Sequence, residues 1–202
     1  ASLALAPGAS ASAAPVGDAA RPLRVGMIGV GNRGTTLLRT LLEIPGVSVP
    51  AVCDPEPRHR ARGEGIVEKA SGRRPESSPE PRRILERSDV DAVVVAVPCD
   101  LHERISVEAL RAGKHLYAEK PMAISVEGCD RLIVESARTP DLAVHVGFQR
   151  RSNPRFREGV GLIRSGVLGP LIEARASWTS SNGPLMGHDG WLGCRRRSGD
   201  FM

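Results

Sequence analysis

The segment that most restricts how this chain can fold is residues 23–34, LRVGMIGVGNRG. A short apolar run (Val25, Met27, Ile28, Val30) flows into Gly29, Gly31 and Gly34 at G-x-G-x-x-G spacing. An amphipathic stretch bearing Leu37, Leu38, Leu41 and Leu42 begins directly afterwards. This order reads as a strand, a tight turn and a helix N-terminus. Each glycine has its own reason. Gly29 takes the backbone angles of the turn, Gly31 lets main chain come close to a ligand, and Gly34 lets the helix lie against the strand.

The helix start leaves N–H groups without partners, and the positive end of its dipole favours an anion. The turn therefore suits the pyrophosphate of a dinucleotide, with Asn32 and Arg33 between the last two glycines. The fingerprint also asks for an acid about twenty residues on, at the end of the next strand. Val47–Cys53 (VSVPAVC) reads as that strand, and Asp54 sits at its tip. A carboxylate there accepts from ribose hydroxyls and repels a 2′-phosphate, so NAD is expected over NADP. Arg58, one turn on, keeps NADP open. The alternative for Asp54 is a helix cap ahead of Pro55.

The rest of the chain alternates the same two elements. Helices are expected over residues 55–70, 82–87, 101–112 and 126–137, with Gly113 closing the third. Strands are expected over residues 92–97, 115–118 and 142–146. Residues 71–81 read as a Pro/Ser/Arg loop. The run AVVVAV at 92–97 fits a central parallel strand buried on both faces. The fold class is thus α/β, a Rossmann-type doubly wound parallel sheet. Gly29, Asp54, Pro98 and Glu119 all fall at carboxyl ends of strands, where such sheets bind ligands.

Residues 23–148 make up this dinucleotide-binding domain. After Gln149 the pattern changes to a helix over 154–165 and a strand over 171–178, the incomplete start of an α+β substrate domain at 149–202. One helix and one strand cannot build a core, so the chain is expected to be a fragment or to have a much shortened second domain. Residues 1–22 are small, apolar and low in complexity. They read as a disordered leader or the back end of an export signal, which points to a periplasmic or secreted location.

Composition narrows the partners. The formal charge is +5, but Lys and Arg (28) are interspersed with Asp and Glu (23), and only Arg195, Arg196 and Arg197 form a tight run. That argues against nucleic acid. No stretch reaches transmembrane length, so no membrane partner is expected. The cysteines Cys53, Cys99, Cys129 and Cys194 lack metal-ligand spacing, and no metal is expected. Cys53 and Cys99 read as buried thiols.

Taken together, GVGNRG (29–34), CDP (53–55), DAVVVAVP (91–98) with His102, GKHLYAEKP (113–121), GFQRR (147–151) and SGVLGPLIEA (165–174) resemble the Gfo/Idh/MocA family of nicotinamide-dependent oxidoreductases. The resemblance runs from about Arg24 to the end. It implies hydride transfer from a sugar or polyol hydroxyl to nicotinamide, with a small-molecule substrate and a homo-oligomeric parent protein. It implies that Lys120 lies beside the nicotinamide as the catalytic group and that the Lys120–Pro121 peptide is cis. Pro98, His102, Glu119 and Pro121 would lie along the cofactor, and Arg150, Arg151 and Trp178 would face the substrate. A lysine at a strand tip against a cofactor ring is well placed to handle a proton. The alternative for Lys120 is a surface residue paired with Glu119, and for His102 a histidine of the core.

The family also carries a histidine-bearing segment in its second domain that commonly completes proton transfer. His188 and Asp189 do not match that pattern, so the expected activity belongs to a longer parent. A glycosidase of the same family, using held NAD transiently, is a second reading. A cofactor binder without turnover is a third.

Overall fold

The computed structural model describes residues 21–177. Its strands are β1 (Leu23–Ile28), β2 (Val47–Cys53), β3 (Glu76–Ser78), β4 (Ala92–Val95), β5 (His115–Glu119) and β6 (Val144–Gly147). Its helices are α1 (Asn32–Leu42), α2 (Pro57–Ser71), α3 (Pro81–Leu85), α4 (His102–Arg111), α5 (Val126–Arg138) and α6 (Pro154–Arg164). The six strands form one sheet in the order β3-β2-β1-β4-β5-β6, and every pairing is parallel. The order reverses between β1 and β4, the switch point where doubly wound sheets open a ligand crevice.

Alternation along the strands divides the core into two layers. Val25, Met27 and Val94 face one side with Leu38, Val52 and Val67, under α1 and α2. Ile28, Val93 and Val95 face the other with Ile84, Ile105, Leu110 and Leu132, under α3, α4 and α5. Leu38 is fully buried, so truncation to Ala there costs roughly 2–5 kcal/mol. Gly63 sits inside α2 for a packing reason: a Cβ there would press on Val30 at 3.3 Å.

Two sequence expectations change. Residues 71–81 are not all loop, because β3 pairs Glu76, Ser77 and Ser78 with Ala51, Val52 and Cys53. A three-residue edge strand needs no apolar alternation, which is why its polar sequence hid it. Residues 171–177 form no strand and are exposed. A strand needs a neighbour for its backbone groups, and none of the described residues pairs with them. The other elements lie within a few residues of expectation. Gly113 follows the end of α4 with φ +73°, the left-handed closure expected of it.

The helix α6 buries none of its residues, and Phe156, Val160, Leu162 and Ile163 are exposed. Trp178, His188, Asp189, Trp191, Cys194 and Arg195–Arg197 lie outside the described residues, as does the leader through residue 20. No helix among the described residues is long and apolar enough to cross a membrane.

Candidate cofactor site

The parallel sheet brings Gly29, Asp54, Pro98 and Glu119 to one edge, since each ends or follows a strand running the same way. The glycine turn is held tightly from below. Gly29 has φ +88°, and a Cβ on it would overlap the Ala96 carbonyl; its N–H donates to Cys53 O at 2.7 Å. A Cβ on Gly34 would overlap the Gly29 carbonyl. Gly31 differs from both. Its φ is −63°, open to any residue, and the nearest atom to an added Cβ is His59 Cε1 at 3.9 Å.

The protein's own packing therefore gives no reason for glycine at 31; the space above it does. That space adjoins the first turn of α1, which has no side-chain cap and no acidic residue. An uncapped, acid-free helix start facing an open cradle fits a pyrophosphate. Asn32 and Arg33 are exposed on the same turn. Thr35 Oγ1 donates to Val30 O at 3.0 Å, and Arg62 from α2 donates to the same carbonyl at 2.6 Å. Both brace the turn, and neither is evident without the fold.

Asp54 is buried, and its carboxylate is knitted into this turn. Oδ2 accepts from Val30 N at 2.8 Å, and Oδ1 accepts from Glu56 N at 3.0 Å. His59 Nδ1 lies 3.2 Å from Oδ1. The cap of α2 is Glu56, whose side chain accepts from Arg58 N, so Asp54 does not fill that alternative role. The unexpected β3 contributes here too, since Asp54 N donates to Ser78 O at 3.2 Å. Burial pushes the neighbouring Cys53 thiol far up, with the Asp54 charge adding to it, so this cysteine is inert.

The other end of the crevice is built on β5. Glu119 is buried, and its carboxylate binds Arg33, with Nη2 2.6 Å and Nε 2.7 Å from Oε1. Lys120 is exposed, and its backbone N–H donates to Glu119 Oε2 at 3.2 Å. The salt bridge of Glu119 is thus to Arg33, not Lys120. The Lys120–Pro121 peptide is cis. Tyr117, one strand repeat before Glu119, packs its ring on His145 with centroids 5.4 Å apart. Burial, reinforced by the Glu119 charge, raises its phenol above the ordinary range.

His102 takes the core position. It is 1% exposed, with Nε2 2.9 Å from Val97 O and Nδ1 2.5 Å from Pro121 O. The ring sits behind the crevice and joins the chain after β4 to the chain after β5, so its reach to a cofactor is indirect. Pro98 is half-buried. Arg150 and Arg151 are exposed just past β6, stacked over Phe156 at 5.5 Å and Phe148 at 5.8 Å. Among the described residues no three His, Cys, Asp or Glu side chains converge as a metal site would need.

Residues 23–148 match the model of GFO_IDH_MocA, described as an oxidoreductase family with an NAD-binding Rossmann fold. The chain belongs to this family. Inositol 2-dehydrogenase 2 of Saccharopolyspora erythraea is 35% identical to the Gfo/Idh/MocA chain over 151 residues, covering 74% of the chain and 43% of that protein. Glycosyl hydrolase family 109 protein 1 of Shewanella sp. (strain MR-4) is 28% identical over 169 residues, covering 77% and 35%. Among solved structures, the 3-ketoreductase KijD10 of Actinomadura kijaniata, in complex with NADP and TDP-benzene, superposes with TM-score 0.63 at 31% identity. It covers 72% of the Gfo/Idh/MocA chain and 43% of its own. The chain therefore spans less than half the length of these relatives.

Proposed function

We propose that residues 23–148 are the cofactor domain of an NAD(P)-dependent oxidoreductase acting on a sugar or polyol hydroxyl, and that residues 149–202 begin its substrate domain. One observation carries this reading. Arg33, on the first turn of α1, touches Glu119, one residue before Lys120. The helix start that forms the anion cradle therefore meets the strand tip that precedes Lys120, which supports placing both along one cofactor.

A bound nicotinamide supplies the hydride-accepting carbon. The chain's own residues do the rest. The amides of α1 and the bare Gly31 backbone hold the pyrophosphate. Asp54, at the tip of β2, accepts from the adenosine ribose. Glu119, fixed by Arg33, borders the nicotinamide end of the crevice. The exposed Lys120 Nζ takes the proton that leaves a substrate hydroxyl. The inositol 2-dehydrogenase relative supports a polyol substrate.

Titration of the protein with NADH, read by nicotinamide fluorescence, tests the cofactor assignment. Saturable enhancement is expected, and its absence overturns the reading. Incubation of the protein with NAD and inositol or related polyols is expected to yield NADH in stoichiometric amounts. The family 109 relative keeps a glycosidase reading in play. Free sugar released without net NADH would decide for it.

A further inference from the structure

We propose that His59 is a specificity-determining residue that accepts from the adenosine 2′-hydroxyl while Asp54 accepts from the neighbouring ribose hydroxyl, so that the site selects an unphosphorylated ribose. The inference rests on the dinucleotide reading above and sharpens it. A carboxylate offers about four lone-pair positions. Three at Asp54 are already used, by Val30 N, Glu56 N and His59 Nδ1. The buried acid therefore has room for one ribose hydroxyl, and the second needs another acceptor.

His59 provides it. In the neutral ring, the proton of the His59–Asp54 bond sits on Nδ1, because an ionised carboxylate can only accept. In that tautomer Nε2 carries the free lone pair and accepts from a hydroxyl. The same ring edge borders the cradle, because Cε1, between the two nitrogens, is the atom nearest to a Cβ built on Gly31, at 3.9 Å. The side chain is 18% exposed, enough for one edge to meet a ligand.

The surroundings favour a hydroxyl over a phosphate. A 2′-phosphate brings acceptors only, and it would meet the Nε2 lone pair and the Asp54 charge. The nearby guanidinium groups of Arg60 and Arg62 are engaged with main chain. Arg60 donates to Asp54 O at 2.7 Å and to Pro55 O at 2.9 Å, and Arg62 to Val30 O at 2.6 Å. Arg58, next to His59, is exposed on α2.

The test compares NADH, NADPH and 2′-deoxy-NADH binding by fluorescence titration of the full chain, in the wild type, His59→Asn and His59→Ala. Asn places an amide N–H where Nδ1 stands, so it keeps a donor for Asp54 and deletes the Nε2 acceptor. The wild type is expected to bind NADH about 3- to 10-fold tighter than the 2′-deoxy analogue, the range of one hydrogen bond. NADPH should bind more weakly than NADH. In His59→Asn the deoxy discrimination should shrink at least threefold while circular dichroism stays unchanged. Equal losses for all three ligands in both variants would make His59 a brace for Asp54 and overturn the proposal. So would an unchanged discrimination in His59→Asn. If the wild type binds none of the three, the cofactor assignment itself falls, and this inference with it.

Discussion

The guanidinium of Arg33 lies 2.6 Å from the Glu119 carboxylate, joining the start of α1 to the tip of β5 across the switch point of the sheet. Arg33 is 45% exposed at its side chain and Glu119 only 5%, so the partners are unequal. Removing the arginine leaves a buried acid with one backbone N–H donor.

Arg33→Met should therefore lower stability by about 1 kcal/mol, the bridge being partly screened by water on the arginine side. It should also weaken NADH binding, since it removes a cation beside the cradle. Glu119→Gln in the Arg33→Met background should cost less than in the wild type. A double-mutant cycle in urea, with NADH titration of each variant, measures both effects.

The glycines of the turn should separate stability from binding. Gly29→Ala combines a positive φ with overlap on Ala96 O and should destabilise by several kcal/mol. Gly31→Val meets no atom closer than 3.9 Å at its Cβ. It should leave the melting temperature nearly unchanged and reduce NADH affinity at least tenfold, because its side chain enters the space meant for phosphate. Thermal unfolding and fluorescence titration on the same samples check the contrast.

Acid should loosen the opposite end of the sheet. Asp91 accepts from Arg24 Nη2 at 2.7 Å and from Arg24 Nε and backbone N at 3.0 Å, and this holds its carboxyl far below the usual range. The folded state thus binds that proton less readily than the unfolded state. The stabilisation is complete above the unfolded carboxylate range near pH 4 and fades as pH falls toward the folded value. Glu103, held down by Arg131, acts in the same direction. Asp91→Asn should lower stability at neutral pH and flatten the dependence below pH 4. Urea midpoints measured from pH 2 to 7 would show it.

Lys120 and His102 should part company under mutation. Lys120 is exposed, so Lys120→Met should leave stability within about 0.5 kcal/mol of wild type. If Lys120 acts as proposed, the substitution should cut kcat by about 10²- to 10⁴-fold, the usual range for a lost proton-transfer group. His102→Ala should do the reverse to the fold. It empties a buried site and deprives one of the two facing carbonyls, Val97 O or Pro121 O, of its N–H donor, a loss of roughly 2–4 kcal/mol. Steady-state rates and urea unfolding distinguish the two.

The sequence carries the glycine turn, the acid at the β2 tip and the Glu119-Lys120-Pro121 segment openly, because each obeys a local rule of spacing or strand position. Contacts between distant residues obey no such rule. Nothing in residues 33 and 119 read separately announces their salt bridge. His59 lies five residues after Asp54, and only the turn of chain into α2 brings its ring back to the carboxylate. The strand β3 escaped because an edge strand of Glu, Ser and Ser is held by backbone alone. Residues 171–177 misled for the opposite reason: their alternation is that of a strand, but pairing depends on a neighbour and not on pattern.

The buried imidazole of His102 has a dynamic corollary. Because one rigid, buried ring is packed between Val97 O and Pro121 O, the segments following β4 and β5 are in contact through it. A displacement of the chain at Val97 would therefore press on Pro121, and through these two positions on their neighbours Pro98 and Lys120.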